Sequence, residues 1–80
     1  AMSYVLRGEA RVRLGEADAA RADFTAAIRI MPANARALAD RARLAKAAGD
    51  CAGAIADFDS AIRITPNDAS LIAERRLCVP

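Results

Sequence analysis

The sequence predicts an all-α fold, two helical hairpins followed by a shorter terminal helix. Three observations predict it. The chain of 80 residues repeats itself with a period of 34. Apolar residues within each unit recur at steps of three and four, the period of a helix. Gly and Pro return at fixed places, where one helix must stop and another begin. Setting residues 1–34 above 35–68 gives twelve identical pairs without a gap, against roughly four or five for a shuffled chain of this composition. Agreement is densest from Ala22 to Pro32, which matches Ala56 to Pro66 at eight of eleven positions.

The first helix is expected near 2–14. Gly15 ends it, because Gly takes the left-handed C-terminal conformation without strain. Glu16 then places negative charge at the start of a second helix near 18–31. Ala20, Phe24, Ala27 and Ile28 form its apolar face. Pro32 ends that helix by biasing the residue before it away from helical angles. Asn34 is placed to N-cap a third helix near 35–48. Gly49 and Asp50 then repeat the roles of Gly15 and Glu16. A fourth helix near 52–65 carries Ala54, Phe58, Ala61 and Ile62, and Pro66 closes it. Asp68 caps a fifth helix near 69–78, and Pro80 stops it. The units are therefore 1–34, 35–68 and a partial 69–80. Ala1-Met2 reads as a cloning remnant before a native Met start, so Ala1 is kept out of the fold.

Composition supports close helix packing and excludes several functions. Hydrophobic residues make up 55% of the chain, and 22 of them are Ala. A core with so few large side chains must bring backbones together, and helices suit Ala best. No run of 18 apolar residues exists to span a membrane. No basic start leads into an apolar stretch, so no secretory signal is expected. His is absent, which excludes His-dependent acid–base chemistry and His–metal sites. There is no Gly-rich phosphate loop and no metal-ligand cluster, so no enzyme activity, cofactor or metal is expected. The net charge of +2 and only three aromatic residues give no nucleic-acid surface. Arg outnumbers Lys eleven to one. With the Ala excess, that ratio reads as a coding bias rather than a functional signal, and a bacterial, cytoplasmic protein is expected.

These positions together resemble the tetratricopeptide repeat (TPR) family. That family favours a large residue at repeat position 4, small ones at 8 and 20, Gly near 15, an aromatic at 24, Ala at 27 and Pro at 32. Here they are Tyr4 and Leu38, Gly8 and Ala42, Ala20 and Ala54, and Gly15 and Gly49. Phe24 and Phe58, Ala27 and Ala61, and Pro32 and Pro66 complete the set. The resemblance covers two full units and most of a further helix. It implies two TPR-like hairpins plus a C-terminal capping helix, a segment of right-handed α-solenoid.

Position 7 departs from the family's usual Leu, being Arg7, Arg41 and Arg75, and Asp23 and Asp57 recur as well. An antiparallel hairpin sets position 7 near position 23, which predicts Arg7–Asp23 and Arg41–Asp57 ion pairs. As surface pairs they would contribute about 0–1 kcal/mol each. An arginine ladder reading an anion is the functional alternative. At position 8 of the last unit, where a small residue belongs, stands Arg76. Residues 69–78 therefore read as a cap rather than a third hairpin, made more apolar than expected by Leu71, Leu77 and Val79.

The resemblance also implies a concave groove lined by the first helix of each hairpin. Its family positions are Met2, Val5, Leu6, Glu9, Val12 and Arg13, then Arg36, Ala39, Asp40, Arg43, Lys46 and Ala47, then Ser70, Ala73, Glu74 and Leu77. The groove would be apolar at one end, through Val5, Leu6 and Val12, and mostly basic in the middle, through Arg36, Arg43 and Lys46. That suits a protein or peptide partner, an amphipathic segment carrying some acidic residues. The family's clamp for chaperone C-termini is not expected, since Val5, Glu9 and Asp40 stand where it needs Lys and Asn. The second reading is assembly, the same apolar positions and the cap building a homo-oligomer. Cys51 and Cys78 fall on two helix ends that can come close. A disulfide and a pair of idle thiols both fit, the thiols being favoured and Cys51 the more reactive.

Overall fold

The computed structural model describes residues 3–78. Met2, Val79 and Pro80, to which the sequence assigns groove, cap and helix-stop roles, lie outside the described residues. The fold is all-helical, with five helices and no strand among the described residues. They are α1 (Tyr4–Arg13), α2 (Ala17–Ile30), α3 (Ala35–Ala47), α4 (Cys51–Ile64) and α5 (Ala69–Arg76). The expected bounds hold to within about two residues. α1 packs on α2 and α3 on α4; α3 also lies against α2, α5 lies against α4, and α1 touches α3.

The punctuation works as its chemistry dictates. Ser3, Asn34, Asp50 and Asp68 each accept a backbone N–H from the first turn of the following helix. Gly15 and Gly49 have φ of 80° and 84°. Each sits in a cap closed by two hydrogen bonds. Glu16 N donates to Arg11 O and Gly15 N to Val12 O. Asp50 N donates to Ala45 O and Gly49 N to Lys46 O in the same way. The Pro turns repeat too, with Asn34 N donating to Met31 O and Asp68 N to Thr65 O.

Each hairpin closes on a ring. Phe24 and Phe58 are both fully buried. A Cβ built on Gly8 would come within 2.6 Å of the Phe24 ring, so α1 and α2 approach too closely there for any side chain. Phe58 shares a core with Leu38, Ala42, Ala54, Ala61, Leu71 and Cys78. A smaller core joins Val5, Ala27 and Ala37, and Ile28 packs against both. Val5 is thus only 8% exposed and belongs to the core. Its assignment to an apolar groove shelf is corrected, because its neighbours on α2 and α3 already cover it.

The predicted ion pairs form. Arg7 donates to Asp23 through Nε and Nη2, and Arg41 donates to Asp57 through the same two nitrogens. The expectation that both are surface pairs is corrected at Asp23, whose side chain is 3% exposed. Asp23 accepts from Arg11 as well. The Arg7 hydrogen bond, chiefly, holds the Asp23 carboxyl below the usual carboxylate range. Its stabilisation is therefore present at neutral pH and is lost as pH falls through that depressed value. Arg41 also reaches back to Thr25 in the first unit, and Arg75 donates to Asp59. The ladder is occupied by acceptors of the chain itself.

Two outcomes follow from this packing. Asp23→Ala lowers unfolding free energy by about 2 kcal/mol, since it removes the buried carboxylate that accepts from both Arg7 and Arg11. Asp57→Ala, less buried and serving one arginine, costs about 1 kcal/mol; urea denaturation of both variants measures the order. Gly8→Ala costs about 1–2 kcal/mol by overpacking, despite a helix-propensity gain of up to about 1 kcal/mol. Shortening the ring with Phe24→Leu in the same chain recovers part of that loss, read as a non-additive double-mutant cycle.

Candidate functional site

The α1 and α3 faces meet in a pocket of about 180 Å³ lined by Glu9, Val12, Phe24, Asp40, Arg43, Leu44 and Ala47. The close contact between Gly8 and the Phe24 ring sets α1 against α2, and α3 packs beside them. Val12, Leu44 and Ala47 give the pocket an apolar wall, with Phe24 at its floor. Val12 is 43% exposed, and Leu6 on the same helix is 49% exposed.

The groove charges are arranged in pairs. Arg36 donates to both carboxylate oxygens of Glu9, at 2.8 and 2.5 Å, tying α3 to α1. Arg43 donates to Asp40 at 3.0 Å and grips Glu74 of α5 through Nε and Nη2. Arg36 and Arg43, two of the predicted charge contacts for a partner, are each engaged by carboxylates within the chain. Arg13 and Lys46 have no acidic side chain within salt-bridge distance among the described residues. They stand next in sequence to Val12 and Ala47, which line the pocket.

Glu9 and Asp40 face each other across the helix boundary. Asp40 Oδ2 is buried and has no hydrogen-bond donor among the described residues. When protonated, the Asp40 carboxyl can donate to the Glu9 carboxylate. Burial first, and then the Glu9 carboxylate, push the Asp40 carboxyl up to about 7, against the pull of Arg43. Glu9 goes the other way, held low chiefly by the Arg36 hydrogen bond and aided by Arg13. Below about pH 7 Asp40 is the protonated member of the pair and Glu9 the ionised one.

Sequence reasoning brought Glu9, Val12, Asp40, Arg43 and Ala47 to one place, and the structure gathers them there. It missed Leu44, whose counterpart in the first unit is Ala10, so the repeat gave no signal for it. Pairings between residues 27 and 31 positions apart, Glu9 with Arg36 and Arg43 with Glu74, also carry no local signature.

No protein-family model matches the chain, and no curated protein matches it. Among the described residues no group of three or more His, Cys, Asp or Glu is arranged to hold a metal ion. No described helix is long and apolar enough to cross a membrane.

The Asp40 carboxyl gives a pH-dependent outcome. The folded chain keeps this proton up to about pH 7, whereas the unfolded chain releases it near the ordinary value of 3.8. Between those values the folded state binds more protons, so this group's contribution to stability falls as pH rises, then levels off. Asp40→Asn keeps a donor toward Glu9 and cannot ionise. The variant is more stable than the wild type by about 1 kcal/mol near pH 8, and the difference closes near pH 4, as read from urea midpoints.

Proposed function

We propose that the chain is a TPR-like pair of hairpins with a capping helix. In this reading it is a non-enzymatic protein–protein interaction module that takes an amphipathic partner segment on the α1–α3 face. The repeated Gly caps, Pro turns and buried rings support the repeat reading. The pocket at Val12, Leu44 and Ala47 carries the binding reading. It offers an apolar seat, and Arg13 and Lys46, next in sequence to Val12 and Ala47 of its lining, form no ion pair among the described residues. A partner suited to it places an apolar side chain in the pocket and acidic side chains on either flank. Arg36 and Arg43 act through the network, holding Glu9, Asp40 and Glu74 so that these carboxylates do not repel such a segment.

A second reading, assembly, has its own observation. A cleft of about 300 Å³ lies at the other end of the first hairpin, lined by Ser3, Tyr4, Val5, Ala27, Ile30, Met31 and Asn34. Ile30 and Met31 are largely exposed there, and Leu77 is 73% exposed beside α5. Such an apolar end suits a second copy or a neighbouring helical unit.

Two designed amphipathic helical peptides, identical except that their flanking residues are acidic in one and basic in the other, test the groove. Fluorescence anisotropy is expected to show the acidic peptide binding at least about tenfold more tightly, an advantage of about 1.4 kcal/mol. The double variant Arg13→Glu, Lys46→Glu abolishes that preference while its helical circular dichroism stays unchanged. Equal affinity for both peptides refutes the groove. Sedimentation over a range of concentrations tests assembly, which a strict monomer excludes.

A further inference from the structure

The molecule holds one pair of nucleophilic side chains that the proposed groove does not use. Cys51 opens α4, and Cys78 follows the last turn of α5. Their sulfur atoms lie 2.6 Å apart, inside the separation at which two unbonded sulfurs rest. Both are present as thiols. The backbone thus already holds them where a covalent bridge needs little movement. We propose that Cys51 and Cys78 are a reversible disulfide site, and that the bond staples α5 to the hairpin formed by α3 and α4.

The environment sets the order of events. Cys51 is half-buried, while Cys78 is buried in the core beside Leu71 and Phe58. The Cys51 sulfur and burial push the Cys78 thiol up, so Cys78 remains protonated while Cys51 meets reagents first. The oxidant is a low-molecular-weight disulfide. Cys51, losing its proton to water, attacks one sulfur of that donor, forms a mixed disulfide and expels the first thiolate. Cys78 then gives up its proton, attacks Sγ of Cys51 and expels the second thiolate. Two protein thiols are oxidised, the donor is reduced to two thiols, and the two protons end on those products.

The bond has a structural consequence because α5 is weakly held. It spans eight residues, too short to persist alone. It is anchored by Leu71 in the core, by Arg75 on Asp59 and by Glu74 on Arg43. Closing the chain from 51 to 78 restricts the unfolded state and fixes all three anchors.

Oxidised glutathione is the probe, applied to the intact chain, with thiol titration, mass spectrometry and hydrogen exchange as readouts. The expected product is a monomer with no titratable thiol, no glutathione adduct and a mass lower by two hydrogens. Its α5 amides exchange at least about tenfold more slowly than in the reduced chain, while those of α1 change little, and its unfolding midpoint rises by on the order of 10 °C. Cys78→Ser stops at the Cys51 mixed disulfide. Two surviving thiols, separate adducts on both cysteines, a disulfide-linked dimer, or an intramolecular bond that leaves α5 exchange unchanged would each overturn the proposal.

Discussion

A phenyl ring wedged where two helices leave no room for a side chain is the constraint on which the rest of the structure depends. Gly8 gives up its side chain so that Phe24 can lie against the α1 backbone. With α1 drawn in, Arg7 and Arg11 come within reach of Asp23 on α2. The second hairpin repeats the scheme with Ala42 and Phe58 in one core and with Arg41 on Asp57. Dispersion contacts of a buried ring are strong but indifferent to small slides of one helix along the other. The forked arginine–carboxylate pair is directional and penalises such a slide. Ring and fork therefore divide the work, one setting how close the helices lie and the other their register.

Much of this was legible in the sequence, for a physical reason. A residue that solves the same packing problem twice appears twice, at constant spacing. Gly15 and Gly49, Pro32 and Pro66, and Phe24 and Phe58 could be assigned because each pair shares one backbone or packing requirement. The Arg7–Asp23 pairing was legible on the same ground. Its strength was not, because the depth of Asp23 depends on Arg11, which the second unit replaces with Ala45.

The groove was less legible, because its features are singular. Val5 seemed available on helix periodicity, yet α2 and α3 cover it through Ala27 and Ala37. Arg36 and Arg43 are read from the sequence as charge contacts for a partner, and the structure adds that Glu9 and Glu74 reach them from other units. Leu44 has no repeated partner to mark it. Contacts made once, between residues distant in sequence, leave no periodic trace.

Arg41 and Arg75 indicate how one unit is joined to the next. Arg41 spends two nitrogens on Asp57 in its own hairpin and sends the third to Thr25 in the hairpin before. Arg75 occupies the same position of the last unit, where no second helix follows among the described residues. It turns instead to Asp59, which holds the place in the second unit that Thr25 holds in the first. The arginine at this position thus has two sites to serve, one within its hairpin and one on the preceding hairpin. For Arg75 the acceptor at the preceding site is a carboxylate, whereas for Arg41 it is the hydroxyl of Thr25. Asp59 in place of Thr25 thus gives Arg75 a charged partner on the preceding hairpin, where Arg41, already paired with Asp57, meets only a hydroxyl.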